Sequence, residues 1–251
     1  MAWRNNSAGT QPVAGGHHAP PRVRPSARTV RTVSGEPRAN AVRPAAPLPA
    51  PHSVQPFVPP APLTAWSAEV FERIEWRRFE AVVEALFAQA GFETRSQAHG
   101  ADGGVDIWLY SKNHAGGNAP ASIVQCKRWV SWSVGVKPVR ELRGVMAQHG
   151  VARGQFVTTS RFTADAQAFA QESGIALHDS DGLLRLIKLR HPKQQDALLA
   201  TAFDGDFWRP TCVQCGVKMV ERTARDTGRN FWGCTHFPKC RRTMEIGASR
   251  D

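Results

Sequence analysis

The chain lacks any run of the roughly 18 apolar residues that a membrane-spanning helix needs, and its N-terminus lacks the apolar core of a secretory signal. Neither a membrane protein nor an exported one is expected. Cysteine is scarce as well: of five in 251 residues, four lie beyond position 211, which excludes a disulfide framework spread through the chain and fits metal binding in a reducing compartment. Acidic residues are nearly missing from the first 64 positions, where Glu36 stands alone against seven arginines. Large apolar residues are few there too, while 13 of the 18 prolines precede residue 63. Such a segment cannot bury enough surface to offset the entropy of ordering its backbone, so residues 1–64 are expected to form a disordered Pro/Arg-rich tail. An Arg-rich, acid-poor N-terminus is also the composition of an organellar transit peptide.

The net charge is +11 and the isoelectric point near 10.2. A polyanionic partner is favoured, because each Lys or Arg that meets a phosphate releases a counterion. The tail carries +6 of this charge, leaving +5 for the 187 residues that follow. That length is enough for one hydrophobic core and a small metal-stabilised module. No internal repeat is present.

From Trp76 to Ala90 the apolar residues Phe79, Val83, Leu86, Phe87 and Ala90 recur at helical spacing, and Gly91 supplies a stop. A strand is expected at Phe92–Ser96 and a turn-rich loop at Gly100–Gly104. In Val105–Tyr110 the aliphatics Val105, Ile107 and Leu109 alternate with Asp106, Trp108 and Tyr110, which predicts that Asp106 points away from the aliphatic face. Ser122–Trp129 is expected as the next strand, with Ile123, Gln125, Lys127 and Trp129 on one face and Val124, Cys126 and Arg128 on the other. Pro138 opens a helix ending near Gly150, Gln155–Thr159 is a strand, and Thr163 caps a helix running to Ser173. Ile175–His178 and Asp181–Leu189 follow as strand and helix. This alternation is an α/β pattern. Residues 191–209 form a polar connection with helical character around Gln194–Ala202.

A carboxylate leaving one strand, followed by a polar oxygen and a lysine alternating on the next, is an arrangement suited to phosphodiester hydrolysis. Asp106 and Gln125 can hold Mg²⁺ (or Mn²⁺), with the Cys126 carbonyl as a further oxygen, while Lys127 orients the attacking water or stabilises the phosphorane. The missing element is a second carboxylate, since Gln125 offers a neutral oxygen. Glu80 is the candidate to supply it, from a helix packed on the strand pair, with Glu84 one turn further on. Arg128, Lys137, Arg140 and Arg143 flank the group and can contact a DNA backbone; a solvated helix face is the plain alternative.

The runs Phe79-Glu80, Asp102-Gly103-Gly104-Val105-Asp106, Gln125-Cys126-Lys127-Arg128-Trp129 and Thr158-Thr159-Ser160-Arg161-Phe162-Thr163 resemble the Mrr-type restriction endonuclease domain. The order and spacing match over about residues 70–190. The resemblance implies a PD-(D/E)XK core, a mixed sheet flanked by helices, in which Gln in place of the usual acid is an expected variant. It carries the aspartate ligand onto Asp106, the Gln and Lys onto Gln125 and Lys127, and the helical acid onto Glu80; Asp102, in the glycine loop, is the weaker aspartate. The Leu-Ile-Asp-Gly turn that usually ends such a domain reads here Leu177-His178-Asp179-Ser180-Asp181-Gly182, and His178 is expected to be structural.

Beyond residue 209 aliphatic residues give way to aromatic and basic ones. Cys212 and Cys215 are two residues apart in spacing and Cys234 and Cys240 five, so each pair can close a tight turn on one tetrahedral Zn²⁺. A redox Cys-x-x-Cys would leave the second pair unexplained. Asn230-Phe231-Trp232-Gly233-Cys234 through Cys240-Arg241 resembles the C4 zinc ribbons of bacterial type I topoisomerases, which implies DNA binding. Rings such as Trp232 can stack on bases while Arg229, Lys239, Arg241 and Arg242 meet phosphates. One of Phe231 and Trp232 is expected to pack as the minimal core, and Cys126 to be plain packing.

The expectation is an α/β, PD-(D/E)XK-like core over residues 65–190, a linker at 191–209 and a C4 zinc ribbon at 210–247, in a cytoplasmic, nucleoid-associated bacterial protein. The expected activity is Mg-dependent DNA endonuclease action, in restriction of foreign or modified DNA. A repair or recombination nuclease, and a non-catalytic DNA-binding protein working through its ribbon, are the alternatives. Cutting both strands would call for a homodimer. No residue pattern specifies the DNA sequence or modification recognised.

Overall fold

The computed structural model describes residues 59–96, 104–112, 119–129 and 132–246. The expected disorder of the tail up to residue 58, and the aspartate at position 102, lie outside these described residues.

Helix α1 (Ala68–Arg73) leads into α2 (Trp76–Gln89), whose residues Phe79, Val82, Val83 and Leu86 are buried. Glu75 caps α2 by accepting the Arg77 amide, satisfying one of the free donors of the first turn. Gly91 follows the helix with φ +96°, where a side chain would be strained. Next come β1 (Phe92–Ser96), β2 (Ile107–Ser111), β3 (Ser122–Lys127), α3 (Val136–Gln148), β4 (Gly154–Thr158), α4 (Ala164–Glu172), β5 (Ile175–His178), α5 (Ser180–Lys188) and α6 (Pro192–Ala202). The Thr163 hydroxyl caps α4 by accepting the Ala166 amide, as its sequence position predicts.

The first five strands form one mixed sheet in the order β1-β2-β3-β4-β5. The β1-β2 and β2-β3 pairs are antiparallel, the β3-β4 and β4-β5 pairs parallel. The two parallel steps need crossovers, which α3 and α4 provide. Helices cover both faces, so β3 is buried along nearly its whole length and its two faces feed separate cores. Val124 and Cys126 join Phe71, Phe79, Leu86, Ile107, Leu109, Val157 and Ile187 in one core, under α1, α2, α5 and α6. Ile123 joins Leu142, Met146, Phe156 and Ile175 in the other, under α3 and α4. This is the mixed α/β architecture expected from the alternation of strands and helices.

Two local expectations differ from the structure. Val105 packs in the second core, whereas Ile107 and Leu109 pack in the first. The alternation therefore does not extend back through Asp106, which precedes β2, and strand parity does not set its direction. The segment after residue 190 is also more than a connection: α6 packs on α2 and buries Leu198 and Ala202, and Phe207 joins them. Gln89 and Trp66 add side-chain hydrogen bonds to the Gln194 and Gln195 carbonyls of α6.

A second sheet, antiparallel and in the order β6-β7-β8, comprises β6 (Val220–Thr223), β7 (Asn230–Gly233) and β8 (Thr243–Glu245). Its core is small: Cys212, Met219, Trp232, Cys234 and Cys240 are buried, with Val217 and Met244 against them. Among the described residues no helix is long and apolar enough to cross a membrane.

Candidate active site and metal centre

Where α2 crosses β3, a cavity of about 90 Å³ is lined by Trp76, Phe79, Glu80, Gly104, Asp106, Gln125, Cys126, Lys127 and Arg128. The four residues singled out from sequence, Asp106, Gln125, Lys127 and Glu80, are all in this wall. Glu84, one turn along α2, is not. A water needs roughly 10–15 Å³ of such space, so the cavity has room for a cation together with some of its waters.

Asp106, Lys127 and Glu80 each have an identifiable support. The Asp106 amide donates to the Val124 carbonyl at 2.9 Å, and Oδ2 of Asp106 accepts the Cys126 amide at 2.6 Å. The carboxylate is thereby tied to the C-terminal end of β3. The Lys127 carbonyl accepts the Thr158 hydroxyl at 2.8 Å from the neighbouring strand, fixing the backbone from which the lysine projects. Glu80 is 7% exposed and its Oε2 pairs with Nη1 of Arg77, one turn earlier on α2, at 2.7 Å.

Gln125 is 8% exposed, and its Oε1 is buried without a hydrogen-bond donor among the described residues. An unsatisfied buried acceptor costs about 1–3 kcal/mol, so a cation beside that oxygen fits the residues present. Gly104, with φ +86°, comes close to the same side chain: a Cβ there would stand 3.2 Å from Gln125 Nε2. The field also suits a cation. Burial, then the carboxylates of Asp106, Glu80 and Glu84, push the Cys126 thiol well above its usual range, against a smaller opposing effect of Lys127. Cys126 is thus a neutral packing residue, as its buried strand face suggested.

Arg128 takes a different role from the one expected. Its Nε and Nη2 donate to the Phe71 and Glu72 carbonyls at 3.1 and 2.6 Å, which anchors α1 to the end of β3. Burial lowers its pKa from the usual value, and it contributes a fixed positive charge to the cavity wall. Arg140 is exposed on the outer side of α3 and covers the Phe169 ring at 5.4 Å. Neither it nor Lys137 or Arg143 lines the cavity. His178, expected to be structural, is hydrogen-bonded to Oε1 of Gln155 at 2.8 Å and meets the edge of Phe87. Asp179, rather than Asp181, caps α5 by accepting the Gly182 amide.

In the small sheet, ligand atoms of Cys212, Cys215, Cys234 and Cys240 lie within 4.8 Å of one another. Sulfurs about 2.3 Å from one tetrahedral zinc stand roughly 3.8 Å apart, and Cys212 Sγ and Cys240 Sγ are separated by 3.8 Å. The His236 amide points at Cys234 Sγ at 3.4 Å, a donor suited to a thiolate. Crowding of four thiols has opposite effects on its members: the Arg242 amide lowers Cys240, burial raises Cys234, and hydrogen bonding to Cys240 pushes Cys215 up to about 12. The donor set and spacing fit Zn²⁺.

Trp232 corrects an expectation. It is 9% exposed and packed against the cysteines, so its faces are turned inward rather than offered to bases. Phe237 is the exposed ring, at 55%, with Arg222 over it at 5.3 Å. It lines a groove of about 350 Å³ together with Phe231, Arg225, Arg241 and Arg242. Arg229, Lys239 and Arg241 are exposed.

Comparison with known proteins bears on the larger sheet. The chain is 32% identical over 119 residues to "Uncharacterized protein y4cE" of Sinorhizobium fredii (strain NBRC 101917 / NGR234), covering 47% of this chain and 29% of that protein. It is 32% identical over 116 residues to "Type IV methyl-directed restriction enzyme EcoKMrr" of Escherichia coli (strain K12), covering 44% and 37% respectively. The chain thus spans about a third of the length of these relatives. Among solved structures, "DNA modification-dependent restriction endonuclease AspBHI" is similar with a TM-score of 0.41 and 21% identity, over 58% of this chain and 44% of that one. "MspJI Restriction Endonuclease in Complex with 27-mer Oligonucleotide" gives 0.38 and 20%, over 53% and 33%. At these TM-scores the structural likeness adds nothing to the sequence match. That match is to the Mrr catalytic family, described as restriction endonuclease, and it runs over residues 71–187, the span that contains every residue of the cavity wall.

Proposed function

We propose that the chain is a metal-dependent DNA endonuclease, with its site in the cavity between α2 and β3. The observation that carries this reading is the buried Oε1 of Gln125, which has no hydrogen-bond donor among the described residues, in a wall shared with Asp106, Glu80 and Lys127. The family match over residues 71–187 supports nuclease chemistry for the same segment.

Asp106 and Gln125 would hold Mg²⁺ or Mn²⁺, and Glu80 would add the negative charge that a neutral Gln125 lacks. A divalent cation supplies charge neutralisation at the scissile phosphate and a lowered pKa for attacking water. The chain's own residues do the rest. The Cys126 amide holds the Asp106 carboxylate at 2.6 Å, so the ligand is fixed before substrate arrives. Lys127 presents its ammonium to the phosphate, where it stabilises charge developing on the non-bridging oxygens as the water–phosphorus bond forms and the bond to the leaving oxygen breaks. Phe79 and Trp76 wall the cavity against bulk solvent.

A relative named a methyl-directed restriction enzyme is 32% identical over 116 residues, and modified DNA is the substrate we assign. The exposed Phe237 groove, ringed by arginines, favours a second reading in which branched or single-stranded DNA is the target. Incubating the full chain with methylated, unmethylated, branched and single-stranded DNA in Mg²⁺ or Mn²⁺ tests both. Cleavage only of methylated duplex supports restriction, cleavage only of branched or single-stranded DNA supports the second reading, and binding without cleavage in any metal sinks the endonuclease.

A further inference from the structure

Glu75 is 5% exposed and stands where the two sheets meet. Its Oε2 accepts the Arg77 amide of α2 at 3.0 Å and the Thr211 amide at 3.2 Å. Its Oε1 accepts the Thr211 hydroxyl at 3.1 Å and the Lys218 ammonium at 3.2 Å. The backbone joins in, with the Glu75 amide donating to the Phe207 carbonyl at 2.7 Å. Trp76, a residue of the cavity wall, donates its indole N–H to the Thr211 carbonyl at 2.9 Å.

The other side of this junction is the first cysteine turn. Thr211 and Lys218 are antiparallel partners across an isolated bridge. The turn they bracket is closed by the Cys212 amide on the Val217 carbonyl at 2.8 Å and the Gly216 amide on the Cys212 carbonyl at 2.9 Å. Lys218 also donates to the Asp206 and Arg209 carbonyls, each at 2.9 Å, so its three donors are all used. Few apolar residues support this turn, and a metal on Cys212 and Cys215 would set its shape.

We propose that Glu75 is a positioning residue that couples metal loading of the four-cysteine site to the shape of the candidate active site. A zinc-closed turn holds Thr211 and Lys218 at the separation that satisfies the buried Glu75 carboxylate. Glu75 in turn fixes the first turn of α2, which carries Trp76 and, four residues on and on the same face, Glu80. If the turn opens, a buried carboxylate loses three of its donors and the helix start must move to find water. The ribbon is then part of the cavity's support as well as a separate binding surface. This inference rests on the four cysteines holding zinc, and its meaning for catalysis rests on the nuclease reading.

Amide hydrogen exchange on the full chain tests it, comparing zinc-loaded protein with protein stripped by a chelator and returned to Mg²⁺ buffer. The expected result is exchange at Phe79–Val83 about tenfold faster or more on zinc removal, with α4, on the opposite face of the sheet, unchanged. Glu75→Gln should reproduce the acceleration while retaining one zinc per chain, and should weaken Mg²⁺ binding measured by calorimetry by about tenfold. Unchanged α2 exchange, acceleration spread equally to α4, or a chain that binds no zinc overturns the coupling. Localised acceleration in a chain that binds no Mg²⁺ supports the coupling and fails the nuclease reading.

Discussion

The Cys126 amide donates to Oδ2 of Asp106 at 2.6 Å, so a residue from the loop before β2 is held against the C-terminal end of β3, twenty positions away in sequence. That bond brings Asp106 beside Gln125, and it is made by the backbone of Cys126 rather than by its side chain. Cys126→Ala or Cys126→Val should therefore leave the metal dependence of cleavage within about twofold of wild type while lowering stability by about 1–2 kcal/mol through packing. Thermal denaturation and a Mg²⁺ titration of cleavage check the two halves separately.

Gly104→Ala should cost about 1–2 kcal/mol, since its φ of +86° disfavours any side chain. The new Cβ would also press on Gln125 Nε2 from 3.2 Å, so the Mg²⁺ concentration for half-maximal cleavage should rise. A Gly91→Ala change, at φ +96° with nothing within 4 Å of the added atom, should cost similar stability without touching the metal response. Denaturant midpoints and metal titrations of the pair separate strain from site damage.

The ribbon gives two contrasting substitutions. Phe237→Ala removes an exposed ring and should weaken single-stranded DNA binding by about 1–3 kcal/mol, roughly 5- to 150-fold, with zinc retained. Trp232→Ala opens the small core around the cysteines and should release zinc. Fluorescence anisotropy with a labelled oligonucleotide and metal analysis read the two effects.

His178 makes the fold sensitive to mild acid. Burial lowers its pKa below the usual 6.5, opposed in part by Asp179, so the neutral ring is the one the fold favours. The unfolded chain then takes up more protons, and stability is full above about pH 6.5 and falls as pH drops below it. His178→Gln should flatten that decline, as followed by denaturant unfolding across the range.

Much of this site is legible in the sequence because its signals are local. Helical spacing placed Glu80 on α2, alternation placed Gln125 and Lys127 on β3, and the Thr163 cap announced α4. What was not legible depended on contacts across the chain. Parity failed for Asp106 because the chain bends between Val105 and Ile107, sending them to different cores. Glu75 and Thr211 are 136 positions apart, and no periodicity joins them. Trp232 lies two residues before Cys234, and its burial against the cysteines shows only in the folded module. The burial of α6 was hidden by its polar composition, since only Leu198 and Ala202 turn fully inward.

The cavity between α2 and β3 is the proposed metal-dependent nuclease site. Cleavage of methylated duplex DNA in Mg²⁺ or Mn²⁺ by the wild type, Asp106→Ala and Lys127→Ala, each shown folded by its circular dichroism and zinc content, tests it most directly. Metal-dependent cleavage by the wild type and a loss of about 100-fold or more in both variants are expected. Cleavage that persists unchanged in either variant, or that needs no divalent metal, would contradict it.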